Sequence, residues 1–165
     1  MSDPKPTTAQ EPATKPGVVD LLARALGERI DPSATSFVDM MADDFVMEFP
    51  YARPGMPTRV EGKAAVLAHL VKVGGDVTVE SASNLVTHET ADPEVVILEF
   101  DGHGRSMRTG EPYEQRYISV IRARNGRMVH FKDYWNPIQG LKAQLGAAVV
   151  DAFILNGPGK ATSHG

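Results

Sequence analysis

No cysteine occurs in the 165 residues. That absence removes a disulfide framework, a thiolate metal site, an iron–sulfur cluster and a cysteine nucleophile. Basic excess is also missing: 17 Lys and Arg stand against 21 Asp and Glu, a net charge of −4. A chain so charged lacks the broad basic footprint that sequence-independent nucleic-acid binding needs. Long apolar runs are absent too. The stretch from Ala147 to Leu155 is interrupted by Asp151 and is too short to span a bilayer. The first 16 residues have no apolar core and so do not read as a secretory signal. The expectation is a cytoplasmic protein with neither membrane nor nucleic-acid partner.

What is present is ordinary for a globular chain: 42% hydrophobic and 23% charged residues. Residues 1–16 hold four of the 12 prolines and few apolar side chains, and are expected to be a disordered tail. One domain is expected over 17–150, followed by a C-terminal tail over 151–165. Val18, Leu21, Leu22, Ala25 and Leu26 recur at helical spacing and predict a helix over 17–30. Ser33 or Ser36 would cap a second short helix to about Asp43. Phe45–Tyr51 reads as a short strand that Pro50 makes an edge or a terminus, and 52–61 as a Pro/Gly loop. A helix follows over 62–73, stopped by Gly74-Gly75. From Asp76 onward the pattern is β, over about 76–89, 93–101, 113–123 and 127–135, and 140–155 reads as a closing helix. Gly102-x-Gly104 precedes another strand instead of a helix, so it reads as a hairpin loop and not as a dinucleotide site. Helices first and antiparallel strands after make an α+β fold.

Asn125-Gly126 sits between two strand-like runs and predicts a two-residue type I′ hairpin. With an unbroken register, Asp133 faces Ile118, Phe131 faces Val120 and Trp135 faces Arg116. Asp133 then lies in line with an apolar sheet face. Tyr117, Ser119, Ile121, Met128, His130, Lys132 and Tyr134 make up the opposite, mixed face. A carboxylate among apolar neighbours has its charged form disfavoured, which suits a general acid or base near neutral pH. The alternative is a solvated strand-end Asp paired with Arg116. His69 lies on the apolar side of the 62–73 helix. It reads either as a packed core histidine or as a proton shuttle opening on a cavity. Tyr51, Arg53 and Met56 fall where a pocket mouth is expected. The remaining histidines show no metal-ligand spacing, so no metal is expected.

The runs FVMEFPYARPGMPTRVEGKAAVLAHL and YEQRYISVIRARNGRMVHFKDYWNPIQGLKAQLG carry a resemblance. They resemble SnoaL-like members of the nuclear-transport-factor-2-like superfamily, and the second run is similar to the phenazine-biosynthesis A/B proteins. The resemblance implies a cone of about three N-terminal helices on a curved, mainly antiparallel sheet enclosing one pocket. It also implies a homodimer through the outer sheet face and a place in secondary metabolism. At Asp133 the phenazine proteins carry a Glu that acts as an acid, and a pocket His corresponds to His69. Their Ser one turn later falls at about Val73 here. Two functions are therefore carried forward. One is a cofactor-independent acid–base enzyme on a small cyclic or ketone-containing molecule. In it Asp133 and His69 are catalytic, and Phe49, Tyr51, Arg116, Phe131 and Trp135 bind substrate. The other is a non-catalytic ligand-binding or dimeric scaffold protein of the same fold.

Overall fold

The computed structural model describes residues 17–157. The expected N-terminal tail lies outside the described residues, as do the last eight. Helix α1 (Val18–Leu26) buries Leu21, Leu22, Ala25 and Leu26, the face its spacing predicts, and runs into a single 3₁₀ turn over Gly27–Arg29. Strands follow as β1 (Met41–Glu48) and β2 (Arg59–Glu61), then helix α2 (Lys63–Gly74). Four long strands come next: β3 (Val77–Glu89), β4 (Val95–Ser106), β5 (Pro112–Arg124) and β6 (Arg127–Trp135). Helices α3 (Pro137–Leu145) and α4 (Ala147–Asn156) end the described chain.

The six strands form one open sheet in the order β2-β1-β6-β5-β4-β3. Only β1 and β6 pair in parallel; the other neighbours are antiparallel. The fold is thus α+β, with four helices among the described residues packed on a mixed sheet. Among the described residues α1 and α2 precede the long strands, where about three helices were expected. The core lies between α1, α2 and the inner sheet face, around Phe45, Met47, Leu98, Ile121 and Phe131. No helix among the described residues is long and apolar enough to cross a membrane.

Several local expectations are corrected. No helix forms over 33–43. Asp31 accepts from the Ser33 amide at 2.8 Å, and Asp39 accepts from the Ser36 hydroxyl at 2.7 Å. These side chains offer the backbone turns in place of a helix. The inward residues are nonetheless Phe37, Met40 and Met41, with Phe37 packed edge-on against Phe45 and Phe131. The Pro/Gly loop contains β2, whose Val60 pairs with Met47. The closing helix breaks at Gly146, whose φ of 91° only glycine adopts readily, so helical structure passes residue 150 and reaches Asn156. Finally, Gly102 and Gly104 lie inside β4. A Cβ on Gly104 would stand 1.7 Å from the Thr78 carbonyl oxygen of β3, and one on Gly102 2.8 Å from the Tyr117 ring. The glycines admit close neighbours within a strand and do not turn the chain.

The hairpin turn forms as read: Asn125 and Gly126 both have positive φ, 52° and 75°, and Arg124 faces Arg127. The register beyond it does not hold. Ala123 faces Met128, but Arg122 faces His130, so Val129 is left over as a bulge. Asp133 therefore faces Ser119, Phe131 faces Ile121 and Trp135 faces Tyr117. Met128 and Phe131, three residues apart, are both buried, which strict alternation forbids and a bulge permits. Asp133 stays inward with Phe131. What changes is the face of β5 beside it: Tyr117, Ser119 and Ile121 point in, while Ile118 is 41% exposed.

Candidate active site

A cavity of about 370 Å³ lies between the sheet, α2, α3 and the connection after β1. Its walls are mostly apolar. Strand alternation from the buried Phe131 delivers Asp133 and Trp135 to it from β6. Strand β5 contributes Tyr113 and Tyr117 by the same alternation. Helix α2 buries Val66 completely and presents His69 one turn later, where the imidazole lies 5.0 Å from the Phe49 ring. Asn136 caps α3 by accepting from the Ile138 amide at 3.0 Å, and Pro137 opens the helix. This start swings α3 across Trp135, and a Cβ on Gly140 would lie 3.3 Å from the indole.

Asp133 is the unusual group. Ser119 is fully buried opposite it and donates to Oδ1 at 3.3 Å. No cation lies within ion-pair distance of Asp133 among the described residues. Burial pushes its carboxyl from 3.8 up to about 7, and the Ser119 hydroxyl offsets this only in part. A carboxyl poised there accepts or releases a proton at neutral pH. Burial, with help from the Lys72 charge, holds His69 below its ordinary value, so the imidazole is neutral at pH 7. Burial drives the Tyr117 phenol well above its ordinary range, so it remains a neutral donor. Tyr117 stacks on Phe100 at 5.0 Å. Its hydroxyl lies 3.4 Å from that of Tyr113, which accepts from Gln115 Nε2 at 3.3 Å. This arrangement can bind a carbonyl oxygen with neutral donors while a carboxyl moves a proton nearby.

Of the expected site residues, Asp133, His69, Phe49 and Trp135 meet in the cavity, and so do Arg53 and Met56. Three do not. Arg116 points outward, 81% exposed, and pairs with Asp101 at 2.9 Å, because the bulge turns its side of β5 to the surface. Tyr51 is 55% exposed and packs edge-on against Tyr134. Phe131 is core, not wall, and is 5% exposed. The tyrosines Tyr113 and Tyr117 were missed as site residues. The signal for them lay in the alternation Tyr113, Gln115, Tyr117, Ser119, Ile121, which grades from polar to apolar along one face.

A family model for the SnoaL-like domain matches residues 20–131. The chain belongs to the SnoaL-like family. This SnoaL-like chain is 36% identical over 138 residues to an uncharacterized PhzA/B-like protein of Pseudomonas aeruginosa, covering 84% of this chain and 96% of the other. It is 36% identical over 119 residues to the uncharacterized protein YesE of Bacillus subtilis, covering 72% and 81%. A solved Bacillus subtilis structure, provisionally described as an isomerase, superposes with a TM-score of 0.65 at 35% identity, covering 78% of this chain and 92% of that one. For the SnoaL-like protein the structural likeness supports the α+β fold described above.

Proposed function

We propose that this SnoaL-like protein is an acid–base enzyme of the isomerase or cyclase type, acting on a small cyclic ketone through its own side chains. The observation that carries the reading is Asp133, a carboxyl shifted to about 7 by burial at the wall of a mostly apolar cavity. As a base it would take the proton from the carbon beside the ketone. The Tyr117 hydroxyl, or the neutral His69, would hydrogen-bond the carbonyl oxygen as charge builds there. The protonated Asp133 then returns the proton at another carbon, which isomerises the substrate, or leaves an enolate to attack a second carbonyl, which closes a ring. Phe49 and Trp135 would shape the walls. The likeness to a structure provisionally described as an isomerase supports the same class. The working unit is proposed to be a homodimer through the outer sheet face, where Ile118 and the half-buried Val120 stand among charged side chains.

The test is deuterium exchange beside the carbonyl of a ring ketone such as 2-methylcyclohexanone, followed by NMR in heavy water. Wild-type protein should accelerate it, and Asp133→Asn should lose at least about a hundredfold of that acceleration, the low end for general acid–base catalysis. Equal exchange by the two proteins would remove Asp133 from the chemistry and leave a ligand-binding role.

A further inference from the structure

A second group of reactive side chains lies away from the cavity, on the outer sheet face where β3, β4 and β5 run side by side. Ser83 Oγ is 2.6 Å from His103 Nε2, and His103 Nδ1 is 2.5 Å from Glu114 Oε2. A carboxylate can only accept, so Nδ1 of the neutral imidazole carries the proton and donates to Glu114. Nε2 is then the free base, and the Ser83 hydroxyl donates to it. Nucleophile, base and orienting carboxylate thus stand in the order, and on the ring nitrogens, that acyl transfer by a serine needs. Ser83 and His103 are half-buried, and Glu114 is exposed.

Strand β3 is distorted on both sides of Ser83. Its register against β4 shifts between Val79 and Ser81 and again between Ser83 and Val86. Such irregularities re-aim side chains. Ser83 is paired with Asp101, yet its hydroxyl reaches the imidazole of His103, which is paired with Ser81. Asn84, the next residue, holds a φ of 54°, uncommon for a residue with a side chain. Its amide donates to Asp101 Oδ2 at 2.7 Å, and Asp101 Oδ1 accepts from Arg116 Nε at 2.9 Å. Among the described residues the Arg116 Nη groups have no partner, so they remain for an incoming oxygen. His103 and Glu114 border a depression of about 290 Å³ whose other walls include Gln115, Asn136 and Gln139.

We infer that Ser83, His103 and Glu114 form a second catalytic site, separate from the cavity, that hydrolyses small polar esters. The polar depression sets the substrate class. Ser83 and His103 are the catalytic residues, and Glu114 is a positioning residue. Ser83 Oγ attacks the ester carbonyl as its proton passes to His103 Nε2, and the carbonyl oxygen takes up the negative charge near Arg116. The carbonyl reforms, the bond to the leaving oxygen breaks, and Nε2 gives that oxygen the proton. Water then attacks the acyl carbon while losing a proton to Nε2. That proton returns to Ser83 Oγ as the carboxylic acid leaves. Glu114 lies four residues from Ile118 along β5, and Ser83 stands on the edge strand β3, so the array is off the centre of the proposed dimer contact.

The experiment treats the whole protein with diisopropyl fluorophosphate, maps the adduct by peptide mass spectrometry, and follows p-nitrophenyl acetate hydrolysis in parallel. Ser83 should be labelled at least about tenfold faster than Ser81 on the same strand face, and His103→Gln should slow that labelling by about a hundredfold, the scale of general-base activation. Ser83→Ala should remove the hydrolysis. For Glu114 the reading is the tautomer: NMR of the imidazole nitrogens should place the proton on Nδ1 in wild type and shift it toward Nε2 in Glu114→Gln. Ile118→Asp should be labelled at the wild-type rate. Labelling of Ser83 no faster than Ser81 overturns the inference without any variant. An undiminished rate in His103→Gln overturns it too, as does labelling that appears only in Ile118→Asp.

Discussion

Asp133 shows how one residue carries function at a cost in stability. Its carboxyl titrates at 3.8 when unfolded and about 7 when folded. Below pH 4 both states hold the proton and nothing is lost. As pH rises from 4 to 7 the unfolded chain ionises while the folded one does not, so stability falls. Above 7 the full cost applies, with an upper bound of about 4 kcal/mol. Asp133→Asn, neutral throughout, should therefore melt higher than wild type at pH 8 and nearly level with it at pH 4. A thermal melt at both values checks this; equal melting temperatures at pH 8 would mean that the carboxyl is not held in its neutral form. The same titration sets the activity profile. With Asp133 as base, proton exchange should rise with pH and level off above about 7, and Asp133→Asn should abolish that inflection. His69, held neutral by burial and Lys72, adds no inflection above its ordinary value.

At the scale of elements, most of the chain's units were legible. The α1 stripe, the α2 boundaries, the four long strands and the Asn125-Gly126 turn all follow from local pattern and turn chemistry. The register was not legible, because β5 is apolar on both faces: Ile118 and Val120 on one, Ile121 and Ala123 on the other. Period-two alternation cannot choose between them. The bulge at Val129 makes the choice, so that Met128 and Phe131 are both buried. The same choice turned Arg116 out and Tyr117 in. The segment over 33–43 misled because its apolar positions suit a helix while Asp31, Ser36 and Asp39 bond their own backbone and one another. Gly102 and Gly104 misled because glycine marks close approach as well as turns. Gly104→Ala drives a Cβ onto the β3 backbone and should cost about 3 kcal/mol or more, read as a lower melting temperature or loss of soluble protein. Gly102→Ala meets side chains and no backbone, the Tyr117 ring at 2.8 Å and Val79 at 3.4 Å, so it should disturb the cavity more than the fold.

For the whole molecule, the outer sheet face bears on assembly. It carries cross-strand ion pairs, including Glu48 with Arg59 and Lys132, and Arg116 with Asp101, around the exposed Ile118. Sedimentation should give twice the chain mass of 17.8 kDa, and Ile118→Asp should shift the population toward the single chain. A wild-type mass of one chain would end the dimer reading. Helix α4 leaves Val149, Phe153, Ile154 and Leu155 exposed. The amino-acid sequence by itself determined the fold class and the hairpin turn, which depend on local pattern, and it set Asp133 in line with Phe131 while leaving open whether that carboxyl is enclosed or solvated. Tertiary structure decided which residues share the cavity. Asp133, His69, Tyr117, Arg53 and Gln144 come from five strands, helices and connections far apart in sequence. Their meeting depends on sheet register, on one bulge and on where α3 begins, and these are settled only when all the apolar faces are buried together.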